Sequence, residues 1–278
     1  MPNRYCACIK EKAMIDLSKM WENEFPAHRV FGNVYFIGTY QASSHIIDTG
    51  EGLIMLDSGL METLYIFLSG MERLGLSPRD IKYIVHTHGH IDHFGATRAL
   101  VELYGCKTFI GKEDAECARG LNDLSYCPEF EMRYDAFEPD VLLSDGDKIL
   151  LGNTVISCYH TPGHTEGCMS YLFDVTDGSE TFRAALHGGS GFNTLALEYL
   201  DKYGLDHSLR EEFIKANERL AGEKVDIYLG NHISQNGMTE KYKKLIAGDK
   251  YAYVNSDDWS KYCLGVAGNL RKFIAEGK

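Results

Sequence analysis

No stretch of this 278-residue chain approaches the roughly 18 consecutive apolar residues of a membrane span, so no helical membrane protein is expected. Met1 to Lys12 contain no apolar core of the kind that marks a secretory signal, and the expected location is cytoplasmic. Positive charge is short: 28 Lys and Arg face 40 Asp and Glu, net −12, with no basic stripe. Nucleic-acid affinity rests on cations that neutralise phosphates, so neither nucleic acid nor membrane is expected as a partner. Paired cysteine spacing is missing as well. Cys6, Cys8, Cys106, Cys117, Cys127, Cys158, Cys168 and Cys263 are scattered, unlike a disulfide framework or a zinc knuckle, and reduced thiols are the expectation. There is no repeat and no Gly-x-Ser-x-Gly nucleophile elbow, because Gly189-Ser190-Gly191 lacks the spacing. What remains is a chain with 44% hydrophobic residues, enough for a sizeable core, and a small-molecule substrate as its natural partner.

The run His88-Gly89-His90-Ile91-Asp92-His93 follows the hydrophobic stretch Ile81 to Val85. Imidazole and carboxylate are ligands that zinc prefers, and none of these groups suits an apolar core. His88 and His90 point the same way from an extended segment or tight loop. Asp92 and His93 lie past the bend and face a second point. One tetrahedral ion would struggle to take all four, whereas two adjacent ions could share them. Two more loops carry ligand-type residues after short apolar strands. Thr161-Pro162-Gly163-His164 follows Thr154 to Tyr159, and Asn231-His232 follows Val225 to Leu229. Loops at strand ends are where a rigid scaffold presents chemistry.

His88-x-His90-x-Asp92-His93, His164 and His232, in that order, resemble the ligand set of the metallo-beta-lactamase superfamily. Gly32 to Thr39 resembles its opening strand, and Gly52 to Gly59 its strand ending in Asp-x-Gly. The likeness runs from about Val30 to about His232. It implies that His88, His90 and His164 hold a first zinc, and that Asp92, His93 and His232 hold a second, two Zn2+ per chain. Thioesterases and lactonases of this fold usually carry a bridging aspartate where this chain has Ala184-Ala185-Leu186-His187-Gly188-Gly189-Ser190-Gly191, with no carboxylate. A serine there is similar to the third subclass of metallo-beta-lactamases. Ser190 is therefore a candidate catalytic residue that places the substrate, with a plain turn serine as the alternative.

The resemblance also implies an α/β fold, a four-layer αββα sandwich. Residues 1–29 read as an N-terminal extension, with a short helix across Ala13 to Trp21, and 30–278 as a single hydrolase domain. Helices are expected at Glu62 to Gly75, Phe94 to Tyr104, Asp114 to Arg119, His207 to Leu220 and Trp259 to Ala275. Strands are expected from Val30 to Asp57 and Lys148 to Phe173, and a long loop from Leu121 to Asp140. Asp57, ending a buried strand beside the candidate site, is expected to bond ligand loops or a ligand imidazole. His28, His45, His86, His160, His187 and His207 have weaker claims on a metal.

Two adjacent zinc ions would lower the pKa of water enough to give hydroxide near neutrality for attack on a carbonyl carbon. Asp92, both ligand and orienter of the nucleophile, is the other candidate catalytic residue. Three functions stay open. The first is a dizinc hydrolase of a cyclic amide, ester or related bond, with beta-lactams leading and lactones or thioesters next. The second is an iron-dependent redox enzyme, and the third a non-catalytic binding protein. A carboxylate-bearing substrate needs a nearby cation, and Arg119, Arg133 and Arg183 are candidates.

Overall fold

The computed structural model describes residues 17–277, in which two β-sheets lie face to face with helices on their outer sides. The first sheet contains seven strands in the order of the chain. These are β1 (Glu24–Phe31), β2 (Val34–Thr39), β3 (Ser43–Asp48), β4 (Leu53–Leu56), β5 (Ile81–Val85), β6 (Lys107–Gly111) and β7 (Val141–Leu143). The first four pair antiparallel, and β4 through β7 pair in parallel. The second sheet runs β12-β11-β10-β9-β8. Its strands are β8 (Lys148–Leu151), β9 (Thr154–His160), β10 (Met169–Thr176), β11 (Thr181–Leu186) and β12 (Ile227–Leu229).

β2 and β4 are buried at every position, because both faces of their sheet are covered. Inward, Phe36, Ile47, Ile54, Leu56 and Val85 meet Tyr171, Phe173, Val175, Ala184 and Leu186 of the second sheet. Outward, Ile37, Ile46, Met55 and Ile84 pack on α1 (Leu64–Arg73) and α3 (Thr97–Tyr104), through Leu64, Phe67, Met71 and Leu100. The second sheet turns Leu172, Ala185 and Tyr228 outward. These meet Leu220 of α7 (Leu209–Ala221) and Trp259 and Cys263 of α9 (Asp258–Ala275). The order helix, sheet, sheet, helix is the expected αββα sandwich. No helix among the described residues is long and apolar enough to cross a membrane.

Several boundaries differ from the sequence reading. β1 starts at Glu24, so the sheet takes in residues before Val30. Of the helix expected from Ala13 to Trp21, residues 13–16 lie outside the described range, and Leu17–Asn23 is a 3-10 segment kinked at Lys19. The helix expected from Phe94 is two pieces, α2 (Ile91–Phe94) and α3, because the Ala96 amide is drawn to the Gly59 carbonyl at 3.1 Å. A 3-10 turn (Lys112–Asp114) leads into α4 (Ala115–Ala118), and α5 (Cys127–Phe130) is a single turn in the long loop. α6 (Leu197–Tyr203) and α8 (Met238–Ile246) were not anticipated.

The ligand-bearing loops gather at one edge of the sandwich, and backbone bonds fasten them there. The Met169 amide donates to the Thr87 carbonyl at 2.7 Å, joining the loops after β5 and β9. The Ser43 amide donates to the Asn231 carbonyl at 2.9 Å. The Asn231 side chain in turn donates to the Gly188 carbonyl at 2.8 Å.

Candidate metal centre

His88, His90 and His164 converge, with candidate ligand atoms all within 4.8 Å of one another. His88 follows β5, His90 stands at the start of α2 in extended backbone, and His164 lies in the turn between β9 and β10. The tautomers are set by what lies behind each ring. His88 Nδ1 donates to the Gly188 carbonyl at 2.8 Å, and His164 Nδ1 to the Gly191 carbonyl at 2.7 Å. That leaves each Nε2 lone pair free to bind an ion. The Nε2 atoms of His88 and His90 are buried with no hydrogen-bond partner among the described residues. Burial, reinforced by the neighbouring imidazoles, holds both pKa values well below the usual histidine range, so both rings are neutral near pH 7. Buried, neutral and unpartnered nitrogens aimed at one point fit a bound cation.

Asp92, His93 and His232 form a second group beside the first. His93 Nε2 lies 3.4 Å from Asp92 Oδ2, and His232 Nε2 lies 3.8 Å from the same oxygen. The two Nε2 atoms face each other at 3.3 Å. The far sides are anchored as before: His93 Nδ1 donates to Asp57 Oδ2 at 2.7 Å, and His232 Nδ1 donates to the Gln41 carbonyl. Burial disfavours charge on His93, yet Asp92 and Asp57 outweigh it and push the ring's pKa up to about 10. Burial would also raise the Asp92 pKa, but His93 and His232 hold it well below the usual carboxylate range. Two carboxylates around one imidazole call for positive charge at this point, from a proton or from a metal ion. His88 also reaches Asp92 and His93 within 4.8 Å, so the two groups are contiguous.

Two buried carboxylates brace these loops. Asp57, directly after β4, accepts the Thr87 amide and the Thr87 hydroxyl, each at 2.7 Å, besides the His93 ring. This is the role anticipated for it. Asp114 was missed. It accepts the Gly89 amide at 2.7 Å, the Thr165 hydroxyl at 2.6 Å and the Gly167 amide at 2.8 Å, tying the His88 loop to the His164 loop. Burial outweighs these three donors and pushes its pKa up to about 6.

Ser190 lies on the loop after β11, between glycines packed against the His164 ring. A Cβ on Gly189 would overlap that ring, which accounts for glycine there. Ser190 Oγ receives the Tyr262 hydroxyl at 2.6 Å and the Gln235 amide at 3.2 Å. Neither partner was foreseen. The remaining histidines lie outside these two groups, and His45 has neither ring nitrogen hydrogen-bonded among the described residues. His187 accepts the Gly189 amide on one nitrogen and meets Asn217 Oδ1 at 2.9 Å on the other. His28 bonds Tyr253, His160 the Glu166 carbonyl, His207 Asp201, and His86 Thr97. His45 is buried on β3 against Phe36. The Tyr126 ring stands 4.8 Å from the His90 ring and forms one wall of the site. Tyr126 has φ 66, and its hydroxyl accepts the Asn193 side-chain amide.

The family model of the metallo-beta-lactamase superfamily matches residues 37–232. Native FEZ-1 metallo-beta-lactamase from Legionella gormanii aligns with a TM-score of 0.84 at 25% identity, over 91% of this chain and 97% of that one. BJP-1, a subclass B3 metallo-beta-lactamase of Bradyrhizobium japonicum, shares the fold with a TM-score of 0.83 at 23% identity, over 93% and 97%. A probable metallo-hydrolase of Methanocaldococcus jannaschii is 27% identical over 135 residues, 49% of this chain and 64% of its own length. An N-acyl homoserine lactonase from a Bacillus species is 25% identical over 154 residues, 47% of this chain and 57% of its own. The chain spans less than two thirds of the length of the curated relatives it matches first.

Proposed function

The chain belongs to the metallo-beta-lactamase superfamily, and from that premise we propose that it is a dinuclear zinc hydrolase that opens the beta-lactam ring. One observation carries the reading. Two contiguous triads each present donor atoms backed by anchored imidazoles, and a serine rather than a bridging carboxylate stands beside them. His88, His90 and His164 would hold one ion, and Asp92, His93 and His232 the other. Zinc bound there supplies Lewis acidity toward a carbonyl oxygen and lowers the pKa of water toward neutrality. Asp92 is the one carboxylate of the six, and its side chain is 24% exposed, so it faces the mouth and can orient the attacking water. Asp57 and Asp114 keep the ligand loops from drifting, because geometry lost there is lost at the reacting atoms. Tyr126 offers an apolar wall for the substrate, and Ser190 a hydroxyl for one of its oxygens.

A second reading, hydrolysis of an uncharged lactone or thioester, is favoured by the arginines. Arg119 is engaged by both oxygens of Glu138 and Arg183 by Asp174, leaving only exposed Arg133 of the three candidate anchors for a drug carboxylate. The lactonase likeness points the same way. A substrate panel on zinc-loaded protein separates the two readings. The proposal expects loss of the ultraviolet absorbance of penicillin and carbapenem rings, abolished by chelator. Untouched beta-lactams together with hydrolysis of a lactone or thioester would replace it with the second reading.

A further inference from the structure

Gln235 sits three residues after His232, on the loop between β12 and α8, and its two ends do different things. Its Oε1 accepts the Asn231 amide at 3.0 Å and the His232 amide at 3.4 Å, and lies 3.4 Å from the Tyr228 hydroxyl. Its Nε2 donates to Ser190 Oγ at 3.2 Å. The Tyr262 hydroxyl, from α9, donates to that same oxygen at 2.6 Å. A serine hydroxyl has two acceptor lone pairs and one donor hydrogen. With two donors on its oxygen, the partly exposed Ser190 has its hydrogen left for a further acceptor, and no bond donated by Ser190 is found among the described residues.

We propose that Gln235 is a positioning residue that fixes Ser190 as a hydrogen-bond donor toward a substrate oxygen and locks that donor in register with the His232 loop. The inference rests on the hydrolytic reading of the centre. The substrate oxygen is a carbonyl or carboxylate, the acceptor that a lone hydroxyl donor can serve. A glutamine suits the position because it is acceptor and donor at once. Glutamate keeps the acceptor for the two backbone amides but offers no donor to Ser190, whose hydroxyl then swings toward the new carboxylate. Methionine, similar in length, removes both ends.

The test uses zinc-loaded full-length protein as wild type, Gln235→Glu, Gln235→Met, Ser190→Ala and Ser190→Ala with Gln235→Glu. Gln235→Glu is expected to raise KM about tenfold, the scale of one hydrogen bond to a charged group, while kcat falls less. In the Ser190→Ala background the same change is expected to leave KM unaltered. A second readout needs no turnover: competition with a chromogenic chelator for the weaker zinc. Gln235→Met is expected to weaken that affinity about tenfold by releasing the His232 loop. An equal KM effect with and without Ser190, or unchanged affinity in Gln235→Met, overturns the proposal. If the wild type turns over no substrate, the hydrolytic reading fails on its own, and the chelator competition still decides the role of Gln235 at the His232 loop.

Discussion

At the scale of single residues, the centre is organised by what stands behind each ligand. Four of the five ligand-type histidines, His88, His93, His164 and His232, give their Nδ1 hydrogen to an oxygen of the protein, three of them to a backbone carbonyl. Backbone carbonyls leave no mark in sequence, so the three supports that they supply could not be read there. Asp57 could be foreseen because it ends an apolar strand beside the motif. It adopts φ 57, a conformation that aspartate tolerates better than most residues. Asp114 could not be, since it lies in an acidic stretch that reads as a helix start, and its partners are far away in the chain. In the proposed mechanism Asp92 would both bind metal and orient the nucleophile. Asp92→Ala is therefore expected to lower turnover by about a hundredfold or more in fully metallated protein. Steady-state kinetics with near-native turnover in that variant would remove Asp92 from the mechanism.

At the scale of elements, the reading succeeded where burial imposes a period and failed where it does not. α1, α7 and α9 were anticipated because apolar residues recur on one face of each, as in Leu64, Phe67 and Met71. In α8 only Met238 is buried, so nothing in its pattern marks a helix. α6 has seven residues, too few to show a stripe. The division of α2 from α3 depends on the Gly59 carbonyl, a contact across the fold that local sequence cannot register. Two strands that lead into the site were plain, since β4 and β5 are short, largely apolar runs closed by polar, glycine-containing turns. The site was legible at that level because its loops begin where such strands end.

At the scale of the whole molecule, the sandwich buries histidines outside the six candidate ligands, and they contribute to its response to acid. Burial lowers the pKa of His28 to about 4, against the raising effect of the Pro26 carbonyl. Burial likewise lowers His187 to about 4, and, with help from His28, His45 to about 3. In the unfolded chain these rings take up protons near pH 6.5, whereas the folded protein resists until nearer pH 4. The stability they contribute is thus full above about pH 6.5 and is lost as pH falls through that window, by about 1.4 kcal/mol per pH unit for each ring. The Tm of chelator-treated protein is expected to start falling near pH 6.5, and a Tm flat from pH 7 to 5 would contradict this. Whether the six residues divide between two zinc ions is decided by elemental analysis of protein purified gently from unsupplemented medium. About two zinc equivalents per chain are expected. One iron equivalent without appreciable zinc would contradict this and point to redox chemistry instead.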